Sequence, residues 1–229
     1  MRNNAIILTQ TQGPSGEATS TISKRIRRAH TDKNGYDTCG TLSDPAVKAL
    51  YVTNPSDDKK RIEHTKGGLL KDSYKWILEN SDFKKWRDDD EYRILWISGD
   101  PGKGKTMLLC GIIDELDKLA PSDVDLSYFF FQGADGRINS ATAALRGLIY
   151  SLILQNSELI PEIEKSYNEG GGAPDTFQNT NCNAWFRLSG LFTRILDYLV
   201  RETSKTIYMV IDGLDECIDG LEKFLDLVS

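Results

Sequence analysis

The chain has 229 residues, 39% hydrophobic and 27% charged, a balance ordinary for a soluble globular protein with one α/β domain and a flanking piece. Its 28 basic and 34 acidic residues leave a net charge of −6, so it carries no overall basic field for nucleic acid. Four scattered cysteines (Cys39, Cys110, Cys182, Cys217) form no C-x-x-C pair, no apolar run approaches the ~20 residues of a membrane span, and Arg2 precedes too short an apolar stretch for a signal peptide. A reducing, cytoplasmic setting is therefore expected.

Residues 1–43 are polar and rich in Ser, Thr, Asn and Gly, and read as a disordered N-terminal tail. Within it, residues 5–10 form an uncharged β-prone patch able to pair with copies of itself. Lys24-Arg25-Ile26-Arg27-Arg28 reads as a solvated charge run. Residues 44–92 read as a helical lead-in. A short helix is expected over 44–51, ending near Asn54-Pro55, followed by a mixed-charge surface stretch at 57–62. After the Gly67-Gly68 break, 69–80 reads as a helix with Leu70, Tyr74, Ile77 and Leu78 on one side. Phe83 and Trp86 continue the apolar trace, and both Trp76 and Trp86 are expected in the core.

A short buried strand is expected over 93–98. Gly99-Asp100-Pro101-Gly102-Lys103-Gly104-Lys105-Thr106 follows and fits G-x-x-x-x-G-K-[ST], the phosphate-binding loop. Its glycines let backbone N–H groups turn toward phosphate oxygens. Lys105 would reach the terminal phosphates, and the Thr106 hydroxyl would hold Mg²⁺. The next helix, with Leu109, Ile112, Ile113 and Leu116 on one face, directs its positive dipole end at the same anion.

Beyond the break at 120–122, residues 126–132 read as an aromatic strand covered on both faces. A loop at 133–136 leads to a helix bearing Leu145, Leu148, Ile149 and Leu152. Arg137 and Arg146 lie within reach of a phosphate but read as surface arginines. Pro161 opens another helix, and 169–183 reads as a mobile polar loop. Trp185, Leu188, Phe192, Ile195, Leu196 and Leu199 then mark a helix. Thr206-Ile207-Tyr208-Met209-Val210-Ile211 reads as a strand that places Asp212 at its C-terminal edge, where open α/β sheets bind ligands. Asp212 would bind Mg²⁺, directly or through water, beside Thr106. Asp215 or Glu216 would orient the water that attacks a γ-phosphate.

Loop, intervening strand and acidic strand follow in the order of a P-loop NTPase. The string Trp96-Ile97-Ser98-Gly99-Asp100-Pro101-Gly102-Lys103-Gly104-Lys105-Thr106 resembles the start of a NACHT domain of the STAND signalling NTPases. Ile211-Asp212-Gly213-Leu214-Asp215-Glu216-Cys217 resembles the acidic motif of that family. Arg61-Ile62-Glu63-His64-Thr65-Lys66-Gly67-Gly68-Leu69-Leu70 and the Trp76…Trp86 stretch resemble the lead-in of fungal NACHT receptors, grouped with nephrocystin-3-like N-terminal domains.

The resemblance covers roughly residues 50–229. It implies a three-layer parallel sheet with the NTPase part at 93–229, and ATP or GTP with Mg²⁺ as ligands. It assigns Gly99, Gly104, Lys105 and Thr106 to phosphate and Mg²⁺, Asp212 to the metal, and Asp215 and Glu216 to water or the γ-phosphate. It further implies an NLR-like switch that self-associates and works with effector or repeat domains.

In the sheet order of that class, 5-1-4-3-2, the strand after the acidic one lies between it and the phosphate-loop strand. The chain stops one helix past the acidic strand, so a truncated product is expected. The sheet would be incomplete, with a gap at its centre, and hydrolysis would be slow at most. Two other functions remain open at this point. One is a small-molecule kinase, disfavoured because 169–183 contains no arginine for a lid. The other is an inert interaction protein.

Overall fold

The computed structural model describes residues 4–11, 44–89, 92–119, 121–203 and 205–228. The basic cluster at 24–28 and the rest of the expected tail over 12–43 lie outside the described residues.

In chain order the elements are β1 (Asn4–Thr11), α1 (Pro45–Leu50), α2 (Pro55–Thr65), α3 (Lys71–Glu79), α4 (Ser81–Asp88), β2 (Ile94–Gly99) and α5 (Lys105–Leu116). There follow β3 (Val124–Phe130), α6 (Ala141–Gln155), α7 (Ile160–Glu169), α8 (Ala184–Glu202), β4 (Thr206–Asp212) and α9 (Leu221–Val228). The lead-in helices start where local chemistry directs. Asp44 accepts from the N–H groups of Ala46 and Val47, and Asn80 from those of Asp82 and Phe83.

The mixed-charge stretch expected at 57–62 lies within α2, with Asp57, Lys60 and Arg61 exposed and Lys59 and Ile62 turned inward. Asn54 caps it and Pro55 takes the first turn, so the pair read as a stop is the start of the next helix. Trp86 is buried as expected, but Trp76 is 57% exposed, its indole N–H donating to the Ser73 carbonyl at 3.1 Å. Leu70 is also exposed, at the N-cap of α3.

The sheet order is β2-β1-β4-β3. β3 and β4 run parallel, and β1 runs antiparallel to both of its neighbours. Two expectations are corrected here. Residues 4–11 are a strand, not a disordered tail. The gap expected between the phosphate-loop strand and the acidic strand is filled by that strand, so the sheet is mixed, not all parallel. Backbone N–H and C=O groups facing such a slot need partners, and β1 supplies them from both of its edges.

Side-chain alternation along β4 divides the interior in two. Ile207, Met209 and Ile211 point to one face, with Phe129 and Phe131, against α1, α6, α7, α8 and α9. Tyr208 and Val210 point to the other, with Leu126 and Phe130, against α2, α3, α4 and α5. Trp86 packs against Phe83 and Tyr208 with ring centroids 5.5 and 5.3 Å away, tying α4 to the second face. β2 departs from the buried strand expected: Ile94 and Trp96 are 40% and 50% exposed. Loop 169–183 is anchored by fully buried Thr176 and Phe177.

Candidate functional site

β2 ends at Gly99, and residues 100–104 turn over its end into α5. Gly102 and Gly104 take φ of +77° and +80°, a left-handed backbone that glycine adopts without steric penalty. No atom lies within 4 Å of a Cβ built on either glycine, so the loop presents an open backbone surface. Asp100, Pro101, Gly102, Lys103 and Gly104 are all exposed. Gly104 caps α5 without a side-chain acceptor, leaving the helix's positive end to an external anion.

Lys105 is buried and folds back over the loop. Its Nζ donates to the carbonyls of Gly99 at 2.6 Å and Asp100 at 2.8 Å. An ammonium holding two neutral carbonyls can exchange them for phosphate oxygens, which bind it more strongly.

Asp212 lies at the end of β4 on the same side as Tyr208 and Val210, the side that α5 covers. Its carboxylate faces the Thr106 hydroxyl and the Gly213 N–H. Burial pushes its pKa up to about 6; those two polar neighbours oppose the rise, and the charges of Glu216 and Asp215 add to it. The structure therefore brings Thr106 and Asp212 into contact across the sheet edge. Gly213 makes the geometry possible. It sits at φ +71°, and a Cβ there would stand 2.9 Å from the Phe131 carbonyl oxygen.

Asp215 and Glu216 occupy a 3-10 turn, Leu214–Glu216, just beyond. The Glu216 carboxylate accepts from the Gly133 N–H at 2.8 Å, linking this turn to the loop after β3. Gly213 and Gly133 were not singled out as site residues from sequence. The Asp-Gly step after an apolar strand was the available signal for the first; nothing local marked the second.

The two arginines considered for phosphate lie elsewhere. Arg137 pairs with Asp135 at 2.7 Å. Arg146 is half-buried and donates to the carbonyls of Ala49 at 3.0 Å and Tyr51 at 2.8 Å. A cavity of about 610 Å³ between α2, α5, β3 and α6 includes none of the phosphate-loop residues. Of its two lysines, Lys59 is held by Glu63 at 2.5 Å and Asp114 at 2.6 Å, and Lys60 faces Asp57 at 3.8 Å.

These residues fit a magnesium–nucleotide. Loop and helix amides with one lysine suit phosphate oxygens. A hydroxyl and a carboxylate in contact suit a hard cation that keeps most of its waters and takes further ligands from phosphate. Among the described residues no three His, Cys, Asp or Glu side chains gather as a self-sufficient metal cluster. No described helix is long and apolar enough to cross a membrane.

The chain is 49% identical over 215 residues to vegetative incompatibility protein HET-E-1 of Podospora anserina. That alignment covers 93% of this chain and 14% of the relative, so the chain spans about one-seventh of that protein's length. No solved structure matches. The model of the nephrocystin 3 N-terminal family matches residues 72–229, a stretch that holds the glycine loop, Thr106 and the acidic turn described above. The chain belongs to the nephrocystin 3 N-terminal family.

Proposed function

We propose that this chain is a nucleotide-binding module of the P-loop NTPase type that serves as a NACHT-type signalling switch, with ATP or GTP and Mg²⁺ as its ligands. The juxtaposition of Thr106 and Asp212 carries this reading, because it sets the glycine loop after one strand beside the acidic end of another. Loop amides 102–106 and Lys105 would bind the phosphates. Thr106 and Asp212 would hold Mg²⁺, which supplies charge neutralisation at the phosphates. Asp215 and Glu216 would polarise water or sense the γ-phosphate, with Glu216 coupling that event to the β3 loop through Gly133. Turnover would be slow. The likeness to an incompatibility protein supports a signalling role, with self-association and further domains as partners.

The test is a titration with Mg²⁺–ATP and Mg²⁺–GTP beside a Lys105→Ala variant. Loss of the ammonium should weaken binding about a hundredfold while leaving the unliganded fold intact by circular dichroism. Equal affinity in the two chains would refute the reading. Turnover with and without candidate acceptors separates a switch from a kinase.

A further inference from the structure

Among the described residues, β2 has one strand partner, and that partner is β1. Asn4 pairs with Gly99 and Thr9 with Ile94, while on the other side Ile7 pairs with Ile211 and Thr11 with Ile207. Among the described residues, backbone pairing thus joins the strand that carries the glycine loop to the strand that carries Asp212 only through the N-terminal segment, while α5 packs against both. Two interstrand spacings, roughly 10 Å in all, separate β2 from β4, too far for direct backbone pairing. β1 is also the one strand running against the other three. It enters from a position 95 residues before its partner Gly99 and 204 before its partner Ile211. Its sequence, Asn-Ala-Ile-Ile-Leu-Thr-Gln-Thr, has no charge and no proline, as a strand paired on both edges requires.

We propose that the slot between β2 and β4 is a strand-acceptor site whose ligand is the segment Asn4–Thr11, and that docking of this segment holds the phosphate loop beside Asp212. The 33 residues at 12–44 join it to α1, a covalent length that spans up to roughly 100 Å when extended. The segment therefore docks and leaves as a tethered ligand, without requiring the rest of the sheet to unravel first. Free energy that docks the strand also favours the assembled site. By linkage, a ligand that bridges Gly99–Thr106 and Asp212 tightens the strand. This last consequence rests on the proposed nucleotide site; the docking itself does not.

Two measurements test it. In the full-length chain, amide exchange at residues 5–10 should be slowed about a hundredfold or more relative to the free peptide. Exchange there at the free-peptide rate overturns the proposal. A chain starting at Gly13 should show faster exchange at residues 94–98, restored by a synthetic peptide of residues 3–12. An Ile7→Pro peptide, which lacks an amide donor and disfavours a central strand, should bind at least about tenfold more weakly. The full-length chain, with its slot filled, should also take the peptide at least tenfold more weakly than the shortened one. Equal uptake by both chains, or no uptake by the shortened chain, overturns the proposal. Failure of nucleotide to bind the full-length chain would refute the proposed function while leaving these exchange and peptide results to decide the docking.

Discussion

At the scale of single residues, Asp212 links electrostatics to stability. Burial raises its folded pKa to about 6 from an ordinary 3.8. Between about pH 4 and 6 the unfolded carboxyl loses its proton while the native one keeps it, so the ligand-free protein loses stability as pH rises. The loss is on the order of 3 kcal/mol and is complete above the folded pKa. An Asp212→Asn variant should be more stable than wild type at pH 7.5 without divalent ions, and that advantage should vanish at pH 4. Urea unfolding at the two pH values measures it, and an advantage of the same size at both would contradict it. The same variant should lose Mg²⁺-dependent nucleotide affinity. Arg146 is the opposite case, a half-buried cation with a structural role. Its contacts close the C-terminal end of α1 by holding the carbonyls of Ala49 and Tyr51. Arg146→Ala should therefore lower stability by about 2 kcal/mol and leave nucleotide affinity within about twofold. A stable variant with impaired binding would instead make Arg146 a phosphate ligand.

At the scale of elements, the position of α5 is set by how closely α3 approaches it. Gly111 lies on the buried side of α5, and a Cβ there would stand 2.2 Å from Cγ of Tyr74, whose hydroxyl is itself held by Glu115 at 2.8 Å. Alanine at 111 would gain up to about 1 kcal/mol in helix propensity, yet the Tyr74 ring has to shift to admit it. We expect Gly111→Ala to destabilise by about 1–2 kcal/mol. Gly136→Ala, where a Cβ meets nothing within 4 Å, should stay within about 0.5 kcal/mol of wild type. A Gly111→Ala protein as stable as wild type in denaturant melts would show that α3 yields freely. Because α5 begins at the phosphate loop, a shift of α3 should also register in the loop amides.

At the scale of the molecule, the division into a lead-in at 44–92 and an NTPase part at 93–229 does not correspond to two separate cores. α1 packs with α6 and α7 on one face of the sheet, and α2, α3 and α4 pack with α5 on the other. Removing residues 1–92 would expose Tyr208, Leu109 and Ile112 and take Trp86 from its place on Tyr208. A chain of residues 93–229 should therefore lack cooperative thermal unfolding, while the full-length chain melts with residues 44–89 and 93–228 in one transition. Calorimetry together with limited proteolysis checks this; an independently melting 93–229 fragment would refute it.

Local chemistry was enough to place the glycine loop, α5 and the acidic end of β4. Backbone dihedral freedom, a helix start and an apolar run ending in Asp212 each reside in a few consecutive residues. The helical faces of α5, α6 and α8 were legible for the same reason, since a 3.6-residue period is a property of neighbours in sequence. The N-terminal strand was not. Residues 5–10 showed β-prone composition, but the two edges they pair with lie far along the chain, and no short window encodes a slot made by two remote strands. Trp76 and α2 were misread on similar grounds: burial depends on which elements arrive opposite, and Asn-Pro serves equally as a stop or a start until the next element is in place. The contact between Thr106 and Asp212 was anticipated from motif order. The strand that spans the sheet between them was decided only by tertiary structure, because filling backbone hydrogen bonds at the centre of a sheet is a condition on the whole fold.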